Sequence, residues 1–249
     1  MKKGDNEERG QAHILKKMGC FGSFTVMPRT ARVAPGGMLF HVLNRGVGRM
    51  QIFRTEEDYD AFQRVIEETL RVAPIRVCAY CWMPNHWHFV LWPERDGDLS
   101  TFMQRMANMH TQRWQRAKLR VGYGHLYQGR FRSFPIENGE HFYCVARYVE
   151  RNALRAALVP RAEDWKWGSL QQRARGARSP LLAEWPLPEP SDWIEQVNMP
   201  QTEAELESVR RCVRRGSLYG DVAWAEQAAE QLGLQSTLRR RGRPHKSHP

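Results

Sequence analysis

The chain has 249 residues, of which 41% are hydrophobic and 26% charged, and its formal net charge is +11. It can bury one main core, no stretch approaches the roughly eighteen consecutive apolar residues that a membrane helix needs, and its start lacks the apolar run of a secretion signal. Five scattered cysteines, an odd number, argue against a disulfide framework. We therefore expect a soluble cytoplasmic protein without a membrane partner.

The positive charge is concentrated in two tracts without acidic residues. One tract lies between Glu8 and Glu56, and the other runs from Leu99 to Ile136, where arginines alternate with aromatic residues. Phosphates need cations and unpaired bases need aromatic faces, so these tracts favour a nucleic-acid partner. On composition alone, a generally basic surface without a specific partner remains the alternative.

The first elements of the chain follow a mixed N-terminal stretch. Residues 1–35 show no period, which predicts a flexible extension. Residues 38–44 then form a β-type run, and Thr55 is placed to cap a helix whose apolar residues recur at helical spacing. After this helix, the runs 75–82 and 86–92, separated by a tight break, predict an antiparallel strand pair.

Three more elements complete the expected fold. A second helix begins near Asp98, an extended segment covers 126–136, and a third helix runs from 138 to 160. The order strand, helix, strand, strand, helix, strand is the split arrangement of ferredoxin-like folds. We predict an α+β, ferredoxin-like (β-α-β-β-α-β) antiparallel sheet with helices on one face, an added C-terminal helix and a small helical tail.

The chain divides into four predicted parts. The extension is followed by a main domain at 36–170, a Pro/Trp-rich linker or wrapping segment at 171–200 and a small helical basic tail at 201–249. The tail ends in a basic run whose Arg-Gly-Arg-Pro sequence, with Arg241 and Arg243, resembles the core of an AT-hook, in which arginines lie along a narrow minor groove. The tail is therefore a candidate auxiliary DNA-binding module.

Two histidines begin the strand that follows the tight break. Alternation places His86 and His88 on one face of this strand and Trp87 and Phe89 on the other. Two imidazoles on one face can converge on one cation, although ordinary polar positions explain two histidines in a strand equally simply. The pair is a candidate metal site.

The helix that begins near 138 carries a second candidate group. His141, Val145, Tyr148, Asn152 and Arg155 fall along one stripe of this helix. A phenol can act as a nucleophile and an amide oxygen as a metal ligand, and imidazole with oxygen donors suits a Mg²⁺- or Mn²⁺-type ion. The alternative is that the tyrosine edges the core and the asparagine is solvated.

Four separated motifs resemble one known family. They are FHVLNRG at 40–46, CWMPNHWHFV at 81–90, LYQGRFRS at 126–133 and RYVERNALRA at 147–156. Together, and in this order, they are similar to motifs of the single-tyrosine HUH transposases, and within them to the REP-associated tyrosine transposases of bacteria. The resemblance covers roughly 37–170, which makes 36–170 the expected catalytic domain.

The resemblance implies roles for the candidate residues. His86 and His88 would be metal ligands for Mg²⁺ or Mn²⁺, Asn152 the third ligand and Tyr148 the nucleophile. The family cuts and rejoins single-stranded DNA near imperfect hairpins, without ATP, through a 5′-phosphotyrosine intermediate. Trp87 stands where the family usually has an aliphatic residue, a change that is harmless if the indole packs in the core.

The expected partner is single-stranded or hairpin DNA of the repetitive extragenic palindrome type, and the protein is expected to be associated with the nucleoid. The residues predicted to contact DNA are Arg45, Arg130, Arg132, Arg151, Arg155, Arg241 and Arg243. A catalytically inactive regulator that binds hairpin DNA is the alternative function. The sequence leaves open whether the protein acts as a monomer or a homodimer.

Overall fold

The computed structural model describes residues 33–176 and 179–239, so residues 1–32 of the predicted extension, Arg241 and Arg243 lie outside the described part. Its centre is a four-stranded antiparallel sheet with the spatial order β2-β3-β1-β4. The strands are β1 (Leu39–Arg45), β2 (Arg76–Met83), β3 (His86–Trp92) and β4 (Arg132–Ile136). This order, with a helix after β1 and another after β3, confirms the predicted ferredoxin-like α+β fold.

Two amphipathic helices cover one face of the sheet, called the first face here. They are α1 (Glu56–Val72), whose N-cap is Thr55 as predicted, and α2 (Asp98–Ala117). The residues of the sheet that face them include Trp82, Trp87 and Phe89, all fully buried. Burial of such large aromatic side chains stabilises the domain and fixes the position of β3.

The two helices of the split arrangement lie on one face, as predicted, whereas the added helix, α3 (Glu140–Glu150), packs against the opposite, second face. Phe142 and Val149 of this helix share a core with Val90 and Ile136 of the sheet. Both faces of the strands are apolar, so a helix on each face is needed to keep them from water. The added helix is therefore the cover of the second face.

The third helix also ends earlier than the predicted residue 160. After a slight irregularity at Arg151 it continues as α4 (Asn152–Arg155). Ala157 then adopts a positive φ of 54°, and the Leu158 amide donates to the carbonyl oxygen of Ala153 at 3.0 Å. This bond satisfies a terminal carbonyl group and closes the helix.

The segment predicted as a linker or wrapping segment packs on the second face. It includes α6 (Trp193–Asn198) and the end of α5 (Ser169–Ala174). The indole of Trp193 is 2% exposed, and its Nε1 donates to Oε2 of the buried Glu150 at 2.6 Å. Large apolar side chains among the prolines require burial, so the segment becomes part of the core. The predicted domain bounds stay predictions.

The tail begins with α7 (Glu203–Arg215) and continues with α8 (Val222–Leu232) and α9 (Gln235–Leu238). Leu206, Val209 and Cys212 of α7 are buried in the core of the second face. The remaining short elements are 3-10 turns at Val47–Arg49 and Ala162–Asp164. In the described ranges, no helix has both the length and the apolar character needed to cross a membrane.

Candidate active site

The two predicted histidines lie together on the second face of β3, as alternation predicted. The ring centroids of His86 and His88 are 5.0 Å apart. Trp87 points to the first face, where it is fully buried and its Nε1 donates to the Tyr127 hydroxyl at 3.0 Å. The bulky residue in the middle of the motif therefore belongs to the core and leaves the face of the histidines clear.

Hydrogen bonds fix which nitrogen each imidazole presents. Nδ1 of His86 lies 2.6 Å from Oδ1 of Asn85, and Nδ1 of His88 lies 2.8 Å from Nε2 of His41. Neither Nε2 of the pair has a hydrogen-bond partner in the part of the chain that the structure describes. Burial, with the positive charges of Arg45 and Arg155, lowers the pKa of His86 to about 4. A low pKa keeps the imidazole neutral, the form in which it can ligate a metal.

His41 is a site residue that the sequence analysis did not single out. It is fully buried on β1, and burial lowers its pKa to about 3. If His88 offers Nε2 to a ligand, its Nδ1 carries the proton and donates to Nε2 of His41. Nδ1 of His41 is buried without a hydrogen-bond partner. The motif at 40–46 contains this histidine, but the strand register that places it beside His88 is not readable from the sequence.

Tyr148 of α3 lies edge-on to the histidines. Its ring centroid is 6.0 Å from that of His88 and 6.1 Å from that of His41. Two other tyrosines lie away from the histidines. Tyr127 is buried on the first face, where burial raises the pKa of its phenol. The Tyr143 hydroxyl donates to the carbonyl oxygen of Pro188 at 2.6 Å. Of these three tyrosines, Tyr148 alone adjoins the histidine pair.

Asn152 and Arg155 form a connected group next to the tyrosine. Nη2 of Arg155 donates to Oδ1 of Asn152 at 2.7 Å, and its Cζ lies 4.2 Å from the centroid of the Tyr148 ring. Nδ2 of Asn152 is buried without a hydrogen-bond partner. The amide oxygen expected as a metal ligand therefore accepts a bond from the guanidinium group. Burial lowers the pKa of Arg155, and the tyrosine opposes this shift.

Three of the arginines predicted to contact DNA line one cleft. Arg45, Arg130 and Arg132 border a cavity of about 610 Å³ together with Arg49 and Arg214, which the sequence analysis missed. These five arginines define the arginine cleft. Residues of β1 place it beside the histidines, because Leu43, which lines it, is the cross-strand partner of His88, and Arg45 is that of His86.

The other predicted contacts lie elsewhere. Nη1 of Arg151 donates to the carbonyl oxygens of Val197, at 2.8 Å, and Asn198, at 2.5 Å, and so ties α3 to the end of α6. Arg155 lies at the tyrosine, and Arg241 and Arg243 are outside the described residues. The Arg151 guanidinium is thus committed to backbone carbonyls, a role that periodicity along the helix could not reveal.

A second group with metal-ligand chemistry lies at the start of α3. Within 33–176 and 179–239, the one set of three or more His, Cys, Asp or Glu side chains with closely spaced ligand atoms is Glu137, His141 and Asp221. The imidazole of His141 directs Nδ1 to Glu137 at 3.2 Å and Nε2 to Asp221 at 3.7 Å. Because each nitrogen faces a different carboxylate, we interpret the group as polar contacts that join the tail to the start of α3.

Comparison with known proteins shows which part of the chain resembles a known family. Residues 36–152 match the family model described as "Transposase IS200 like". This part of the chain, just under half of it, is similar to the IS200-like transposases and is called the IS200-like domain below. The matched range contains β1 to β4, the histidine pair, Tyr148 and Asn152, whereas α5 to α9 lie beyond it. The part of the chain that carries the candidate site residues is therefore the part that matches the family model.

Solved structures show weaker likenesses. One, described as a REP-associated tyrosine transposase bound to a REP hairpin, is 22% identical, covers 64% of this chain and 93% of its own, and has a TM-score of 0.48. Another, a candidate transposase from Deinococcus radiodurans R1, is 14% identical, covers 49% of this chain and 92% of its own, and has a TM-score of 0.33. No curated protein sequence matches the chain.

Proposed function

We propose that the IS200-like domain cuts and rejoins single-stranded DNA, with Tyr148 as the nucleophile and a divalent metal on His86 and His88. The observation that carries the proposal is the convergence at one point of the second face: the tyrosine ring lies 6.0 Å from the His88 ring, which in turn lies 5.0 Å from the His86 ring. Nucleophile and ligand side chains from two different elements meet there.

The residues present fit a divalent cation. Both members of the histidine pair use Nδ1 in hydrogen bonds and keep Nε2 available, and burial favours their neutral forms. Oδ1 of Asn152 accepts one bond from Arg155 and has a second lone pair for a third ligand bond. This mixed set of nitrogen and oxygen donors supports Mg²⁺ or Mn²⁺. When bound, the metal would neutralise charge on the scissile phosphate and on the departing 3′ oxygen.

The chain's own residues supply the remaining chemistry. The Tyr148 oxygen forms a bond to phosphorus, the bond between phosphorus and the 3′ oxygen breaks, the phenol loses its proton and the 3′ oxygen gains one. One phosphodiester replaces another, so a free 3′ hydroxyl can reverse the step on a new strand without ATP. Arg155, which lies over the tyrosine ring, is positioned to stabilise negative charge on the phenolate oxygen as it forms.

The DNA class follows from the charge beside the site. The arginine cleft offers cations for a phosphodiester backbone next to the histidine pair. The motifs similar to those of the REP-associated tyrosine transposases support hairpin-forming single-stranded DNA as the substrate. The association state stays an open prediction.

One observation favours a second function, a hairpin-binding regulator that no longer cleaves. The guanidinium of Arg155 holds the oxygen of Asn152 and covers the Tyr148 ring, so a cation already occupies the neighbourhood of the proposed metal ligands. If this arrangement persists on DNA, binding would occur without chemistry.

A cleavage assay separates the two functions. A labelled hairpin oligonucleotide with single-stranded flanks is incubated with the protein in Mn²⁺ or in EDTA, and nicks and covalent adducts are resolved on denaturing gels. We expect nicking and a protein-DNA adduct in Mn²⁺ only, and neither product with His86→Ala, which should retain most of its hairpin affinity. Hairpin binding without any nick in Mn²⁺ would support the regulator, and full nicking in EDTA would refute the metal role.

A further inference from the structure

The tail that follows the IS200-like domain is built onto the edge of the sheet. The Tyr219 amide donates to the carbonyl oxygen of Pro135 at 3.0 Å, and the Glu137 amide donates to that of Tyr219 at 2.9 Å. These bonds form a parallel bridge between Tyr219 and Ile136 of β4. The backbone of the tail thus continues the hydrogen bonding of the transposase sheet.

Helix α7 is fixed at both of its ends. At its start, Thr202 and Glu205 exchange hydrogen bonds in a capping box, and at its end Gly216 adopts the left-handed conformation with φ of 68°. Its apolar side is buried in the core of the second face, and Nη2 of Arg147 in α3 donates to the carbonyl oxygens of Met199 and Pro200 just before it. The backbone of the helix is therefore held in a defined position against the sheet.

One of these sides forms a wall of the arginine cleft. Val213 and Arg214 of α7 line the cavity, opposite residues of β1 and β4. Arg214 forms an ion pair with Glu207 two turns earlier on the same helix. Val213 and Arg214 lie outside 36–152. The cleft beside the histidines is therefore completed by a part of the chain that the family model does not match.

Four of the five arginines of the cleft, all except Arg214, lack a carboxylate partner in the described part of the chain. No carboxylate lines it, and in the described part of the chain Arg45, Arg49, Arg130 and Arg132 form no ion pair with a carboxylate. Nε of Arg45 is buried without a hydrogen-bond partner. Burial and the like charges of Arg49 and Arg132 lower the pKa of Arg45. Clustered cations with an unpaired buried donor need an anion to offset their repulsion.

We propose that α7 is a structural wall of the DNA channel, and that Arg214 contacts the backbone of the single strand that enters the histidine site from the hairpin. The proposal rests on the proposed function for the identity of the strand. It replaces the expectation of a separate DNA-binding module for this part of the tail. A cavity of about 610 Å³ suits one or two nucleotides of an extended strand.

The test measures binding apart from chemistry. Full-length protein carrying Tyr148→Phe, in EDTA, is titrated with two fluorescent probes: a blunt hairpin, and the same hairpin with a six-nucleotide single-stranded flank at the cleavage side. Arg214→Gln is compared with Arg211→Gln, a matched control on α7 whose exposed side chain lines a different cavity, beside His141. Thermal unfolding confirms that both variants fold.

We expect Arg214→Gln to weaken binding of the flanked hairpin about fivefold at 0.1 M salt and to lower its salt slope by about 0.7, the value for one phosphate contact on a single strand. The blunt hairpin and the Arg211→Gln variant should show neither change. Equal losses for the two variants, or an equal loss on both probes, would overturn the proposal. Because no cleavage is measured, failure of the proposed transposase chemistry would appear in the nicking assay and not here.

Discussion

The two faces of the central sheet bury histidines in different ways. On the first face, the Tyr127 hydroxyl lies 2.5 Å from Nδ1 of His110 and accepts a bond from the Trp87 indole at 3.0 Å. On the second face, His88 pairs with His41, and Nε2 of His86 and Nε2 of His88 have no hydrogen-bond partner among the described residues. Burial lowers the pKa of His110 and of His41 alike, to about 3.

The two histidine clusters differ in the polar atoms that remain unpaired beside them, although Nε1 of Trp82 on the first face is also buried without a partner. His41 Nδ1, Asn152 Nδ2 and Arg45 Nε are all buried without hydrogen-bond partners around the second-face site. Unpaired buried polar groups cost free energy, so a protein keeps them where a ligand completes them. A depressed histidine pKa alone therefore marks burial, whereas a depressed pKa together with unpaired neighbours marks a site.

The largest expected effect is the loss of nicking on substitution of Tyr148, the tyrosine of the second face. Tyr148→Phe removes the proposed nucleophile, so we expect nicking and adduct formation to fall at least roughly 10³-fold while the fold and the hairpin affinity survive. Denaturing gels with labelled hairpin, and a thermal melt, measure both properties. An adduct that persists in this variant would move the nucleophile to another residue.

A smaller effect is expected for His41, which we interpret as a positioning residue. His41→Ala removes the partner of His88 Nδ1, so the ring loses its fixed orientation and metal affinity should fall about 10- to 100-fold. Mn²⁺ binding, followed by electron paramagnetic resonance in the absence of DNA, gives this affinity directly. His41→Gln, which keeps an acceptor on the side chain, should recover part of the loss. Unchanged Mn²⁺ affinity in His41→Ala would refute the positioning role.

The sequence predicted the site more fully on β3 than on its neighbours. Alternation within one strand is a local property, so the shared face of His86 and His88 and the burial of Trp87 follow from the sequence. The partnership of His41 with His88 depends on the register between β1 and β3, in which His41 is paired with Val90 and lies diagonally from His88. Register is a tertiary property, set by packing and turn geometry.

The same limit applies in the C-terminal half of the chain. The density of proline and tryptophan at 171–200 is typical of a linker, yet Trp193 donates to Glu150, a carboxylate 43 residues earlier in the chain. The sequence could show that α3 is amphipathic, but not which face of the sheet it covers. The arginine cleft likewise combines β1, β4 and α7, whose proximity only the folded chain shows.

The hydrogen bonds that join Trp87, Tyr127 and His110 on the first face should affect the stability of the fold and not the cleavage reaction. Tyr127→Phe leaves the Trp87 indole and the His110 imidazole without their common partner, at a cost of roughly 2 kcal/mol in the free energy of unfolding. Urea denaturation measures this cost. Nicking by the folded variant should match that of the unmodified protein. A loss of nicking without a loss of stability would show that the first face takes part in the reaction.

An effect of similar size is expected from the contribution of His110 to pH dependence. Its folded pKa, about 3, lies below the unfolded value of 6.5, so between these values the unfolded chain binds a proton that the folded chain does not. Stability from this group is therefore complete above pH 6.5 and falls by about 1.4 kcal/mol for each pH unit below it.

His110→Asn keeps an acceptor near the Tyr127 hydroxyl but cannot titrate, so its free energy of unfolding between pH 6 and pH 4.5 should decline less steeply by about that slope. The carboxylates and the second-face histidines contribute equally to both proteins and cancel in the difference. Parallel curves for the two proteins would show that the His110 imidazole is protonated in the folded state over this pH range. The contrast between the first-face and second-face histidines would then be refuted.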